Sequence, residues 1–314
     1  MLEGAWEPYC TELANASTDE ELIKALEAIV SQFKIDLSLQ ASVVFGHDTR
    51  PSCPKLVEAL VDGLAAFGTR MIDAGLKTTP QLHYLVKANN TLGTPEAYGE
   101  PSDEGYYKKL SQAYIKLVTG KPTMSPLTVD CANGVGAPAL LAISKYIPSD
   151  LLPLRILRTS TDQRGALNNG CGADFVKTNQ RIPIGLEKDG VEAGERVCAF
   201  DGDADRLIYF YCKGPPSSKE SFRLLDGDKI ASLAADYISE LVKKAGIDIK
   251  VGCVQTAYAN GSSTKYLKQV RCPLLLSLRN ALMKSFAARS RYLHRNWRQT
   301  FASRRGEVRC WRLL

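Results

Sequence analysis

Apolar side chains recur at helical spacing near the start of the chain. Leu22, Leu26, Ile29 and Phe33 fall on one face, and Thr18 with Glu21 makes a capping-box pattern ahead of them, so a helix is predicted there. The pattern then shortens to Ser42-Val43-Val44-Phe45, a run the length of a buried strand, closed by the polar turn Gly46-His47-Asp48-Thr49-Arg50-Pro51-Ser52. Pro54 stands where a first helical turn accepts proline, and Leu56, Leu60, Leu64 and Phe67 mark the next helix face. Met71-Ile72-Asp73-Ala74-Gly75 reads as a second strand. Strand, helix and strand in that order predict a parallel pair. Residues 91–103 read as a loop, and Glu104 to Val118 as a helix.

A linker is expected over Lys121 to Pro126, and the pattern then starts again. Leu127 to Ala132 reads as a strand, followed by the turn Asn133-Gly134-Val135-Gly136 and a helix through Ile147. Leu154-Arg155-Ile156-Leu157 and Val197-Cys198-Ala199-Phe200 are further strands, and Leu207 to Tyr211 leaves the turn that the second of these enters. Asp226 to Lys244 reads as a helix with Ile230, Leu233, Ala234, Ile238 and Leu241 on one face, and Lys250 to Gln255 as a strand opening something new. The class is α/β. The expected organisation is a first domain over 1–121, a second over 122–248, the start of a third over 249–270 and a divergent segment over 271–314.

Charge separates the last segment from the rest. Residues 271–314 hold 11 basic side chains, ten of them Arg, against Glu307, a net of +10, which leaves −4 for the first 270 residues. The overall +6 therefore describes a junction between two unlike stretches. The body is mildly acidic, so no nucleic-acid partner is expected for it. In the tail, Leu274, Leu275, Leu276, Leu278 and Leu282 lie near Arg279 and Lys284. A marginal helix is favoured there over a membrane- or nucleic-acid-binding one. No run of about 18 apolar residues is present, so no membrane span is expected, and Met1 to Cys10 shows no secretory pattern. Nine cysteines without a CxxC pair argue for a reducing, cytoplasmic compartment, with Cys131, Cys198 and Cys253 as buried thiols in apolar runs.

The candidate chemistry sits at Asp201-Gly202-Asp203-Ala204-Asp205-Arg206. Carboxylates at alternate positions converge if the backbone turns sharply between two strands, and Gly202 permits that turn. Close carboxylates repel, and a hard divalent cation relieves the repulsion. An EF-hand does not fit, because its sixth position is Arg206 and its twelfth Cys212. Three side chains leave coordination positions open, which suits Mg²⁺, and Arg206 offers a fork for phosphate. The plainer alternative is an acidic turn capping a hairpin. Asp226-Gly227-Asp228 reads as a helix cap, and Asn133-Gly134-Val135-Gly136 as a tight turn or, less readily, a phosphate cradle.

Phe200 to Arg206 resembles the metal loop of the α-D-phosphohexomutases, in particular the branch acting on N-acetylglucosamine phosphates. Gly46 to Ser52, Thr78-Thr79-Pro80-Gln81-Leu82-His83-Tyr84, Val129 to Gly136, Leu167-Asn168-Asn169-Gly170-Cys171-Gly172-Ala173-Asp174-Phe175-Val176 and Gln255 to Ser263 agree with it in order, over about residues 1–270. The resemblance implies mixed-sheet α/β domains, four in the family, around a central cleft. It implies that Asp201, Asp203 and Asp205 hold Mg²⁺, that Arg50 and Arg206 face phosphate, and that a phosphoserine exchanges phosphoryl groups with the sugar through a bisphosphate. The substrate would be N-acetylglucosamine 6-phosphate, converted to the 1-phosphate on the route to UDP-N-acetylglucosamine. Arg50 reads equally well as a salt-bridge partner.

The chain also departs from that pattern. The family's serine precedes histidine in a Thr-Ala-Ser-His-Asn-Pro segment, and none of the three histidines here, His47, His83 and His294, follows a serine. Agreement stops near Val270, before the sugar-reading loop and the phosphate-binding fourth domain. The expectation is an incomplete first domain, a complete second and a third only begun, with little mutase activity in this chain alone. A non-catalytic truncated product and a basic-tail interaction protein are the alternatives. The second domain should be the best folded, since uncovered sheet edges elsewhere favour aggregation.

Overall fold

The computed structural model describes residues 6–122, 124–215, 218–249, 253, 255 and 259–269. The strand read over Lys250 to Gln255 and the tail 271–314 lie outside the described residues, apart from Cys253 and Gln255 themselves. The described residues divide into two units, within Met1–Lys121 plus Pro138–Pro148 and within Pro122–Ala137 plus Ser149–Leu314.

In the first unit, helix α1 (Trp6–Asn15) and α2 (Asp19–Gln32) precede strand β1 (Ser42–His47), helix α3 (Cys53–Ala66) and strand β2 (Arg70–Leu76). Helices α4 (Thr79–Thr91) and α5 (Asp103–Val118) follow. β1 and β2 pair in parallel, Ser42 opposite Arg70 and Phe45 opposite Asp73, as the strand–helix–strand order predicts. α2 starts on Thr18, whose Oγ1 accepts the Glu21 N–H at 3.2 Å. The reciprocal bond reaches one residue further back than expected, with Glu21 Oε2 accepting the Ser17 N–H at 2.7 Å. Thr18→Ala should therefore cost about 1 kcal/mol, read as a lower denaturant midpoint, because one N–H of the first turn loses its acceptor.

Two predicted helix faces are buried only in part. On α2 the buried residues are Ala25 and Ile29, while Leu22 and Leu26 are exposed. On α3, Leu56, Leu60 and Phe67 are exposed, because a two-stranded sheet offers little surface to cover them. A buried cluster of this unit is Tyr84, Leu85 and Ala88 of α4. The polar spacing of α4 hid it, yet its start carries a capping box: Gln81 Oε1 accepts the Thr78 N–H and hydroxyl, each at 2.9 Å. The same buried amide donates to the Tyr107 hydroxyl at 2.8 Å, which ties α4 to α5.

The second unit is built on a five-stranded mixed sheet. In chain order it holds β3 (Leu127–Asp130), the start of α6 (Gly136–Ile143), β4 (Leu154–Leu157), α7 (Gly172–Asn179), β5 (Arg196–Phe200), β6 (Leu207–Cys212), β7 (Phe222–Leu225), α8 (Gly227–Ala245) and α9 (Gly261–Gln269). The sheet order is β4-β3-β5-β6-β7, with β3 parallel to β4 and β5, and β6 antiparallel to β5 and β7. Its core gathers Val176 and Ala173 of α7, Leu186, Val191, alternate residues Val197 and Ala199 of β5, Ile208, Phe210 and Cys212 of β6, and Phe222. α6 ends four residues before the predicted Ile147, giving way to a 3-10 turn at Ser144–Tyr146.

Helix α8 begins as read. Asp226 Oδ1 accepts the Lys229 N–H at 3.2 Å, and Asp228 Oδ2 takes the Asn260 N–H at 3.0 Å. Its buried residues, however, are the small Ser232 and Ala235, while Leu233, Ile238 and Leu241 are exposed. Among the described residues no helix is long and apolar enough to cross a membrane, and the described cysteines form no disulfide. Cys131 and Cys198 are buried, whereas Cys253 is only partly so.

Candidate metal centre

The loop from Asp201 to Arg206 joins antiparallel β5 to β6. Its turn is tight: the Ala204 N–H donates to the Asp201 carbonyl at 3.1 Å, and Ala204 takes the left-handed conformation, φ 56°. That conformation is uncommon for a residue with a Cβ, and backbone strain of this kind is concentrated at ligand-holding turns. The result is convergence. One carboxylate oxygen each from Asp201, Asp203 and Asp205 lies within 4.8 Å of the others. Among the described residues no other group of three His, Cys, Asp or Glu side chains meets in this way.

The three acids differ in setting: Asp201 is 1% exposed, Asp203 is half-buried and Asp205 is exposed. Burial, followed by Asp205 and Asp203, pushes the Asp201 carboxyl up to about 7, with Arg206 acting in the opposite direction. Such a group is poorly stabilised as an anion by the protein alone. The donors are all hard oxygens, with no thiolate or imidazole among them. This set fits Mg²⁺ or another hard divalent cation, and three ligands leave the rest of an octahedron to water or phosphate oxygen.

The turn after β3 makes room for this loop. The Val135 N–H donates to the Gly202 carbonyl at 3.0 Å. A Cβ on Gly134 would lie 2.2 Å from that same carbonyl oxygen, and one on Gly136 would lie 3.0 Å from both the Phe200 ring and the Ala204 Cβ. The N–H groups of Asn133, Gly134, Val135 and Ala137 donate to Arg158, Cys131, Gly202 and Gly134 carbonyls, so they are already spent within the protein. The glycine pattern thus serves close backbone approach, which is the tight-turn reading of this segment.

Two residues that the sequence reading did not single out complete the surroundings. Asp174, in the first turn of α7, grips Arg206 with both oxygens, Nη1 to Oδ1 and Nη2 to Oδ2, the latter at 2.8 Å. Asp130, fully buried at the end of β3, accepts the Ala132 N–H at 2.9 Å and the Gly172 N–H at 2.8 Å, and so fastens the start of α7 to the sheet. An acid inside the apolar run from Leu127 to Ala132 was the available signal for Asp130. Nothing local in the sequence marks Asp174.

Arg206 also reaches the trio, Nε to Asp201 Oδ2 at 2.7 Å and to Asp205 Oδ1 at 3.3 Å. Its guanidinium thus meets carboxylates of both the loop and α7. Arg50 belongs to the first unit, in the loop after β1. Its N–H donates to Asp48 Oδ1 at 2.8 Å and its Nε lies 3.3 Å from Asp48 Oδ2. The Cys53 thiol donates to the same carboxylate at 3.0 Å, and burial together with this bond pushes it up to about 11.

The chain is similar to known proteins over most of its length. Residues 12–95 match the family model "Phosphoglucomutase/phosphomannomutase, alpha/beta/alpha domain I". Residues 104–208 and 226–289 match "Phosphoacetylglucosamine mutase AMG1", domain II and domain III respectively. Phosphoacetylglucosamine mutase 2 of Schizosaccharomyces pombe is 43% identical over 271 residues, covering 86% of this chain and 48% of its own length. The Sus scrofa phosphoacetylglucosamine mutase is 46% identical over 274 residues, with the same coverage of each. Aspergillus fumigatus N-acetylphosphoglucosamine mutase, solved with GlcNAc-6P and magnesium, superposes with a TM-score of 0.71 at 44% identity, covering 87% of this chain and 50% of that one. Its variant bound to glucose 1,6-bisphosphate gives 0.73 at 43% identity, covering 88% and 50%. The chain thus spans about half the length of these relatives. With its segments matched in order and its acidic loop in place, the chain belongs to the α-D-phosphohexomutase superfamily, among the phosphoacetylglucosamine mutases.

Proposed function

We propose that this chain carries the metal-holding part of an isomerase that interconverts N-acetylglucosamine 6-phosphate and 1-phosphate through a bisphosphate, in UDP-N-acetylglucosamine biosynthesis. The observation that supports it best is the meeting of three carboxylates at Asp201, Asp203 and Asp205. The solved relative bound to GlcNAc-6P and magnesium supports the substrate and the ion. In this reading the three acids hold Mg²⁺, which when bound offsets charge on a phosphoryl group in transfer. Arg50 and Arg206 are the phosphate-facing cations. Residues 1–121 are the first domain, 122–248 the second and 249–270 the opening of a third, working in the cytoplasm.

These 314 residues alone should turn over little sugar phosphate, since no serine among them precedes a histidine to supply the family's phosphoryl donor. Positioning of the reacting groups is worth as much as a metal contributes. The test pairs two measurements on the purified chain: a Mn²⁺ titration followed by electron paramagnetic resonance, and a coupled assay with N-acetylglucosamine 6-phosphate and catalytic bisphosphate. One bound Mn²⁺ displaced by Mg²⁺, with negligible turnover, is the expected pair. No bound ion removes the metal reading, and turnover like that of a full-length relative removes the claim of inactivity.

A further inference from the structure

The trio faces a competitor of its own. A guanidinium and a divalent cation seek the same carboxylate oxygens, and Arg206 already touches two of the three acids, Asp201 and Asp205. Left to itself, its positive charge would lower the attraction for an incoming ion. Asp174 opposes that from the other side. It holds both terminal nitrogens of Arg206 in a fork-to-fork pair, the geometry in which a guanidinium gains most from a single carboxylate. Asp174 can do so because it lies in the first turn of α7, a helix whose Ala173 and Val176 are buried in the sheet core. Its position is therefore set by packing.

We propose that Asp174 is a positioning residue that sets the cation affinity of the Asp201–Asp205 loop by engaging Arg206 and balancing its charge. This rests on the metal reading of that loop. It assigns Asp174 no contact with the ion. Without Asp174, the remaining anionic partners of Arg206 among these contacts are Asp201 and Asp205, and the guanidinium competes with the ion in full. With Asp174 present, the arginine stays anchored when a cation takes those oxygens. The Arg206–Asp174 pair is about half exposed, at 55% and 53% of the side chains, so its effect is modest and local.

The experiment is a double-mutant cycle on the whole chain, with Mn²⁺ affinity read by paramagnetic resonance in about 0.15 M salt, where charges beyond roughly 8 Å are screened. Asp174→Asn should weaken Mn²⁺ binding about fivefold, the size of one surface ion pair. Arg206→Gln should tighten it. In the Arg206→Gln background, Asp174→Asn should change affinity by less than about twofold, since its target is gone. If Arg206→Gln does not fold, by circular dichroism, Arg206→Lys serves as the background, because an ammonium cannot form the fork and the Asp174→Asn effect should shrink there too. An undiminished effect of Asp174→Asn in the altered background overturns the proposal, as does no effect in the unaltered chain. If the unaltered chain binds no Mn²⁺, the metal reading fails and this inference falls with it. Binding without coupling defeats this inference alone.

Discussion

Alanine at position 134 should abolish cation binding and lower the melting temperature, although residue 134 contributes no side chain to the site. The added Cβ would sit 2.2 Å from the Gly202 carbonyl oxygen and 2.7 Å from its Cα and carbonyl carbon. These are backbone atoms of the loop that carries Asp201 and Asp203, so no side-chain rotation relieves the contact. The loop must retreat, and the bond from the Val135 N–H to that carbonyl goes with it. Overpacking at a rigid contact costs about 3 kcal/mol, which in a domain of this size lowers the melting midpoint by roughly 10 °C. A shifted loop no longer brings its carboxylates within reach of one ion. Gly202→Ala is the matched control. Its Cβ would meet Asn168 Nδ2 at 2.7 Å and Leu167 Cδ1 at 2.8 Å, the far ends of two side chains that can turn aside. Its melting loss should therefore be smaller than that of Gly134→Ala. Differential scanning fluorimetry and the Mn²⁺ titration read both. Equal losses, or an unchanged Gly134→Ala, would mean that the two loops are not held by this contact.

That contact also marks what the sequence could and could not disclose. Alternation of apolar runs with turns was enough to read β1, β2, β3, β4, β5 and β6, because each is a short run bounded by glycine or polar residues. α4 and α7 escaped notice because their inward faces use Gln81, Tyr84, Ala88, Ala173 and Val176, too few large apolar residues to stand out at helical spacing. The outward leucines of α3 and α8 misled in the opposite sense, since spacing records a stripe but not what covers it. At the site, the alternate aspartates were visible as a local pattern. Asp174 was not, because its partner Arg206 lies 32 residues away, and Asp130 showed only as an acid in an apolar run, its partner Gly172 lying 42 residues on. The Asn133 to Gly136 turn read as ambiguous for the same reason: its glycines answer to a loop nearly 70 positions on, and no spacing rule reaches that far.

Asp130 carries the second large expectation. Both of its oxygens accept backbone N–H groups, from Ala132 and Gly172, in a fully buried position. Asparagine there keeps one acceptor and turns a donor towards the other N–H. Asp130→Asn should therefore cost about 2 kcal/mol, loosen the start of α7 and weaken cation binding through Asp174. The size of the loss should depend on pH, in a direction the site dictates. Burial raises the Asp130 carboxyl above its ordinary value, outweighing the Gly172 and Ala132 N–H groups and Arg158, with Asp189 adding to the rise. The nearby thiols of Cys131, Cys171 and Cys198 are each pushed up to about 12 and stay neutral across the range. A carboxyl raised on folding gives its full contribution below its unfolded value and loses it as pH climbs through the folded value. The stability gap between the unaltered chain and Asp130→Asn should thus be wider near about pH 4, the ordinary aspartate range, than near about pH 8, other groups cancelling between the two proteins. Urea unfolding at both pH values measures the gap. A gap that stays constant or widens with pH would show that the neutral form of Asp130 is not the one the fold favours. An Asn variant as stable as the unaltered chain would show that α7 is held to β3 by something other than this carboxyl.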